Sequence, residues 1–208
     1  MKPISLQCYL FVIFSLFSVK AVTARQTLPP EKYSRAELKK QYDDFLPDLE
    51  YLEVAKDFPK SVTDLLSDDG QRQRSAMMTL GASGKPYVIP WLVPFLDSNK
   101  KDIRIWAGAS ISKVVEIWAL QRRDPGIEDE VVLLPLKDTD LNIGPLRWIA
   151  LKMFDRVDDG NTHAYAAVMT RYLEAKEFED ELLKSLKSKH PAVSNKAKWA
   201  LDSLVLSR

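Results

Sequence analysis

Cysteine is nearly absent from this 208-residue chain: its single copy, Cys8, lies inside an apolar stretch near the N-terminus. Beyond that stretch there is no thiol for a disulfide or a thiolate metal site, so stability must come from a packed core. Histidine is almost as scarce. His163 and His190 are the only two, in no His-x-x-x-His spacing, and zinc would need acids converging from elsewhere in the fold. No Gly-x-Ser-x-Gly elbow marks a serine nucleophile, and Ser83, between Gly81 and Gly84, reads as a helix stop. Charge of one sign is lacking too, with 30 lysines and arginines against 29 acids. The basic pairs Lys100-Lys101 and Arg122-Arg123 are scattered among acids, which is no footprint for nucleic acid. Asn99, Asn142, Asn161 and Asn195 all lack the hydroxyl residue that would make them glycosylation acceptors.

Long hydrophobic runs are missing as well. The longest, Cys8 to Val19, covers twelve residues and is too short to span a bilayer. Preceded by Lys2 and followed by Val22-Thr23-Ala24, it reads as a secretory signal peptide over 1–24, cleaved after Ala24. Its removal takes away Lys2, Lys20 and the cysteine, leaving 28 bases against 29 acids. The expected product is secreted or periplasmic, with no stable membrane span. Residues 25–33, with Pro29-Pro30, read as a linker.

What the chain does contain is a recurring phrase. It runs Ala76-x-x-Thr79-Leu80, Ala107-x-x-Ser110-Ile111, Ala150-x-x-Met153-Phe154 and Ala197-x-x-Ala200-Leu201, and four places before each alanine stand Arg72, Ile103, Leu146 and Val193. A small residue at fixed spacing lets helix backbones approach, while large neighbours one turn away fill the groove beside it. Each copy is therefore expected on the second helix of a hairpin. The alanines are separated by 31, 43 and 47 residues, so insertions are expected between units.

Around the phrase, helices alternate. Ser34 and Glu37 form a capping box opening a helix with Leu38, Tyr42 and Phe45 at helical spacing. This helix, within a region over 34–58, is expected to cap one end of the stack. Pairs follow at Ser61 to Leu66 with Gln71 to Leu80, Tyr87 to Leu96 with Asp102 to Leu120, and Glu128 to Lys137 with Pro145 to Val157. Helices from Thr162 to about Ala175, Glu177 to Leu186 and Pro191 to Leu206 complete the series, the proline suiting a first helical position. No stretch alternates like a strand. The expected class is all-α: an α-solenoid of about four stacked helical hairpins over 60–208 with an N-terminal capping helix.

The clearest stretch is Val88-Ile89-Pro90-Trp91-Leu92-Val93-Pro94-Phe95-Leu96-Asp97, then Asp102-Ile103-Arg104 and Ala107. It resembles the HEAT-like repeat family, in its short form also found in phycobiliprotein lyases. The family pattern has a proline in the first helix, an acid at the turn and an arginine early in the second. Asp97 precedes Arg104 by seven residues and Asp140 precedes Arg147 by seven, whereas Gln73 and Ser194 replace the arginine in the other copies. The resemblance implies stacked helices that bind other macromolecules. It carries no lyase chemistry, because no chromophore-handling motif is matched.

The arginines read first as a ladder, the turn aspartate accepting from helix N-terminal amides and the arginine bridging to the adjoining repeat. Beside it stands a functional reading: Arg104, Trp106, Arg147 and Trp148 combine aromatic and guanidinium surface, the usual chemistry of a protein-binding hot spot. Trp118, on the apolar face of its helix, is expected to be buried. The acids Asp138, Asp140, Asn142 begin like a calcium loop, but Gly144 comes one residue late and Ile149 stands at the closing carboxylate. Asp155, Asp158 and Asp159, before the Gly160 that is expected to end the helix, form a second acidic cluster that reads as a solvated C-terminal turn, where acids oppose the helix dipole and invite a cationic partner. The expected function is a non-enzymatic, extracytoplasmic scaffold for a protein or peptide, with no catalytic residue, metal or cofactor. The alternative is an envelope enzyme, or a carbohydrate or metal binder, using the acids of Asp138 to Asp159.

Overall fold

The computed structural model describes residues 34–45, 51–121, 143–173 and 175–206. The expected signal peptide and linker, the helix expected over Glu128 to Lys137, and the turn acids Asp138 and Asp140 lie outside the described residues. The described residues form ten α-helices and no strand. These are α1 (Arg35–Phe45), α2 (Tyr51–Asp57), α3 (Pro59–Leu65), α4 (Gly70–Ala82), α5 (Ile89–Leu92), α6 (Lys101–Leu120), α7 (Ile143–Phe154), α8 (Gly160–Tyr172), α9 (Glu179–Leu186) and α10 (Pro191–Leu206). The all-α class is as the sequence predicts.

Local chemistry sets the helix ends. At α1 the capping box forms, the Ser34 amide donating to Glu37 at 2.9 Å and the Glu37 amide to the Ser34 hydroxyl at 3.2 Å. Asp69 starts α4 by accepting from the amides of Gln71 and Arg72 at 2.8 and 3.3 Å. The same helix stops where the Ser83 hydroxyl donates to the Leu80 carbonyl at 2.6 Å. Gly84 then turns the chain at φ +64°, where a Cβ would lie 2.3 Å from Ile117. Only glycine combines that backbone with that closeness. The first helix of the second pair is not the regular element expected. Pro86, Pro90 and Pro94 each remove a backbone donor, and the segment divides into 3₁₀ turns at Pro86–Val88 and Val93–Asp97 around the single turn of α5.

Four of the longer helices pack in sequence. Helix α4 packs against α6, α6 against α8 and α8 against α10, while α3 packs on α4, α5 on α6, α7 on α8 and α9 on α10. Helix α7, carrying Ala150, packs on α8 and α1, and the helix expected to precede it in its pair lies outside the described residues. In α4, α6, α8 and α10 the seventh residue is Ala76, Ala107, Ala166 and Ala197, each at most 3% exposed. These four alanines stand 31, 59 and 31 residues apart. Ala150 copies the phrase because α7 is also packed on more than one side, against α1 and α8.

The close approach of α4 and α6 falls at Gly81, a residue expected in the helix stop and outside the phrase, which meets Ser110, the small residue of the phrase's second copy. A Cβ at Gly81 would stand 2.8 Å from the Ser110 Cα. Leu80, Leu96, Ile103, Ile111, Met153 and Met169 fill the surrounding core, and Trp118 is buried as expected. Helix α1, expected at one end, has α7 as its main packing partner, held by buried Leu38 and by Tyr42.

Candidate functional site

Arg104 and Trp106 lie on α6, and Arg147 and Trp148 on α7, which makes no extensive contact with α6. Both tryptophans are partly buried against the core. Arg104 is 11% exposed at its side chain and donates to the carbonyl of Ser98 at 2.9 Å. It also lies 3.5 Å from Asp158 and 3.6 Å from Asp159. Arg147 is ion-paired to Glu177. The two arginines therefore tie elements together, as the ladder reading requires, but their partners differ from those expected. Asp97 does not cap α6, which begins after Lys100 without a side-chain cap. It instead accepts from Lys152 and Arg156 on the far side of the insertion, both at 2.6 Å.

The second acidic cluster also differs from expectation. Asp159 is not a solvated turn residue: it is fully buried and caps α8, accepting from the Thr162 amide at 3.3 Å and hydroxyl at 2.9 Å. Gly160 accordingly opens α8, where it was expected only to end the preceding helix. Asp155 receives a two-bond fork from Arg35 of α1, at 2.6 and 2.9 Å. The cationic partners that this cluster invites thus come from the chain itself. Among the described residues no group of three or more histidines and acids is placed to hold a metal.

One groove gathers groups that composition and spacing leave scattered. With a volume of about 330 Å³, it lies where α1, the C-terminal end of α7, α8, α9 and the start of α10 converge. Both histidines line it. His163, the fourth residue of α8, stands edge-on to Phe154 with ring centroids 5.4 Å apart, and its Nε2 lies 2.7 Å from the Ser185 hydroxyl. Burial pushes the His163 imidazole below its ordinary value; the charge of Asp155 opposes this and His190 adds to it. His190 packs on Gly160, where a Cβ would meet the imidazole at 2.8 Å.

Ser185 and His163 form a pair at hydrogen-bond distance, the geometry of an activated nucleophile. The Ser185 hydroxyl also lies 2.7 Å from the Glu181 carbonyl, one helical turn back, and is buried. A hydroxyl has one proton to give. Donated to the carbonyl, it leaves His163 Nε2 as the donor to Ser185, so the imidazole holds α9 against α8 and takes no proton from the serine.

Arg35, Glu181, Lys184 and Lys187 complete the charged lining, and none was singled out by the sequence. The available signal was the histidines: His163 follows the start of α8 by three residues, and His190 directly precedes α10. The starts of α8 and α10 thus lie beside each other, each bringing an imidazole. No family model, curated protein or solved structure matches this chain.

Proposed function

We propose that the chain is an extracytoplasmic HEAT-like α-solenoid of four hairpins that serves as a non-enzymatic scaffold, docking a protein or peptide in the groove around His163 and His190. The repeated buried alanine at the seventh residue of α4, α6, α8 and α10 supports the repeat reading, because equivalent small residues let successive units pack alike. The groove carries the binding reading. It joins an apolar floor to a charged rim at a convergence of five elements, the setting in which ligand sites form. Arg104 and Arg147 are occupied by internal partners, so docking is better placed here than on α6 and the start of α7. The apolar run Cys8 to Val19, after Lys2 and before Val22-Thr23-Ala24, supports export.

A photoreactive residue replacing Val157, which is 73% exposed on the groove rim, tests this reading. One dominant crosslinked partner is expected from Val157, and none from Leu66, which is 74% exposed on α3's C-terminal turn. Equal patterns from both positions, or no crosslink from Val157, would remove the groove as the docking site. Intact mass of the exported product should begin at Arg25.

A further inference from the structure

Building on the reading of this chain as a peptide-binding scaffold, we infer that the groove takes the free C-terminal carboxylate of a peptide whose last side chain is apolar. The floor is apolar, with Phe154 and Val193 at 5% and 1% exposure, and Val157 continues it onto the rim. An apolar side chain seated there gains contact area that water cannot match. The charge is unevenly matched. Arg35 is neutralised by its fork to Asp155 and lies in the field of Glu181 as well. Lys184, on α9, and Lys187, just after it, have no carboxylate within ion-pair distance among the described residues. Glu181 is likewise in no ion pair among the described residues, so the lining sets Arg35, Lys184 and Lys187 against Asp155 and Glu181, and one positive charge in excess beside an apolar floor calls for one negative group joined to one apolar group. The volume, about 330 Å³, is at the small end for ligand sites and suits a chain terminus better than a folded surface.

The imidazole of His163 makes this uptake pH-dependent. It is faced by Asp155 from the end of α7, by Glu181 and Lys184 from α9, and by His190 from the start of α10, with Arg35 of α1 and Lys187 at the edge. An added carboxylate favours the charged imidazolium, and by linkage protonation favours the carboxylate. Binding then tightens as pH falls through the imidazole range.

Calorimetry on the full mature chain tests the assignment with three probes: acetyl-Leu-Leu-Phe as the free acid, the same peptide as its C-terminal amide, and 3-phenylpropionate. The free acid should bind about tenfold or more tighter than the amide, the difference of one charge-assisted contact. Replacing both lysines, Lys184→Gln with Lys187→Gln, should weaken the acid to the level of the amide and leave the amide unchanged. These exposed positions leave the core intact. The acid should bind tighter at pH 5.5 than at 7.5, and His163→Gln should reduce that difference. Equal binding of acid and amide, or binding of neither, overturns the carboxylate assignment, while a Val157 crosslink that persists in that case leaves the scaffold reading standing. If 3-phenylpropionate binds as tightly as the peptide acid, the ligand is a small organic acid and the peptide assignment is overturned.

Discussion

Arg104 of α6 lies 3.6 Å from the carboxylate of Asp159, the fully buried cap of α8, and so links the two helices. The carboxylate serves the helix start and the guanidinium together. Asp159→Ala removes the cap and strips the largely buried Arg104 of a counter-charge, for an expected loss of about 3 kcal/mol in urea unfolding. Asp159→Asn keeps an acceptor for Thr162 and should lose less. A cost below about 1 kcal/mol for the alanine would mean that Arg104 relies on Asp158 and the Ser98 carbonyl instead.

Gly81→Ala should be among the costlier single-methyl additions in this chain. The new Cβ would meet backbone at Ser110, 2.8 Å away, and backbone cannot rotate aside as a side chain can. Separation of α4 from α6 is expected to cost about 2 kcal/mol, read as a lowered Tm. Gly70→Ala is the control, because its Cβ would meet nothing closer than 4.0 Å. Similar behaviour of the two variants would disprove the close approach.

His163 links stability to pH. Its folded-state affinity for a proton is below the ordinary imidazole value of 6.5, so below that pH the unfolded chain takes the proton first. Stability from this group is therefore intact above pH 6.5 and declines as pH falls toward its lower folded value. Chemical denaturation at pH 7.5 and 5.5 should show the decline in the native chain and a smaller one in His163→Gln. An unchanged slope in the variant would assign the decline to other groups.

At α1, the Ser34 amide and hydroxyl hold the Glu37 carboxyl below its ordinary value of 4.5. The capping box is thus fully formed above pH 4.5 and is lost as pH falls through the lower folded value. Ser34→Ala should raise hydrogen exchange in the first turn of α1 about fivefold at neutral pH, with the rest of the chain unaltered. Exchange that spreads into α7 would instead mean that α1 and α7 open as one unit.

Several elements are legible in the sequence because one local cause dominates each. Ser34 with Glu37 marks the start of α1, Pro191 marks that of α10, and the spacing of Ile103, Ala107, Ile111 and Trp118 marks the buried face of α6. Where local causes compete, the reading fails. Pro90 and Pro94 suit the family pattern yet leave only a fragmented helix there. Gly160 follows a helix as a stop would, but the buried cap Asp159 makes it the first residue of α8. The groove was hidden for the same reason: Arg35 and Asp155 are 120 residues apart, and nothing local in either announces the other.

The buried alanine at the seventh residue gives the chain a unit of length. From the start of α8 to the start of α10 is 31 residues, as from α4 to α6. A larger side chain at any of the four would meet a neighbouring helix, so these alanines limit how closely α4, α6, α8 and α10 can approach one another.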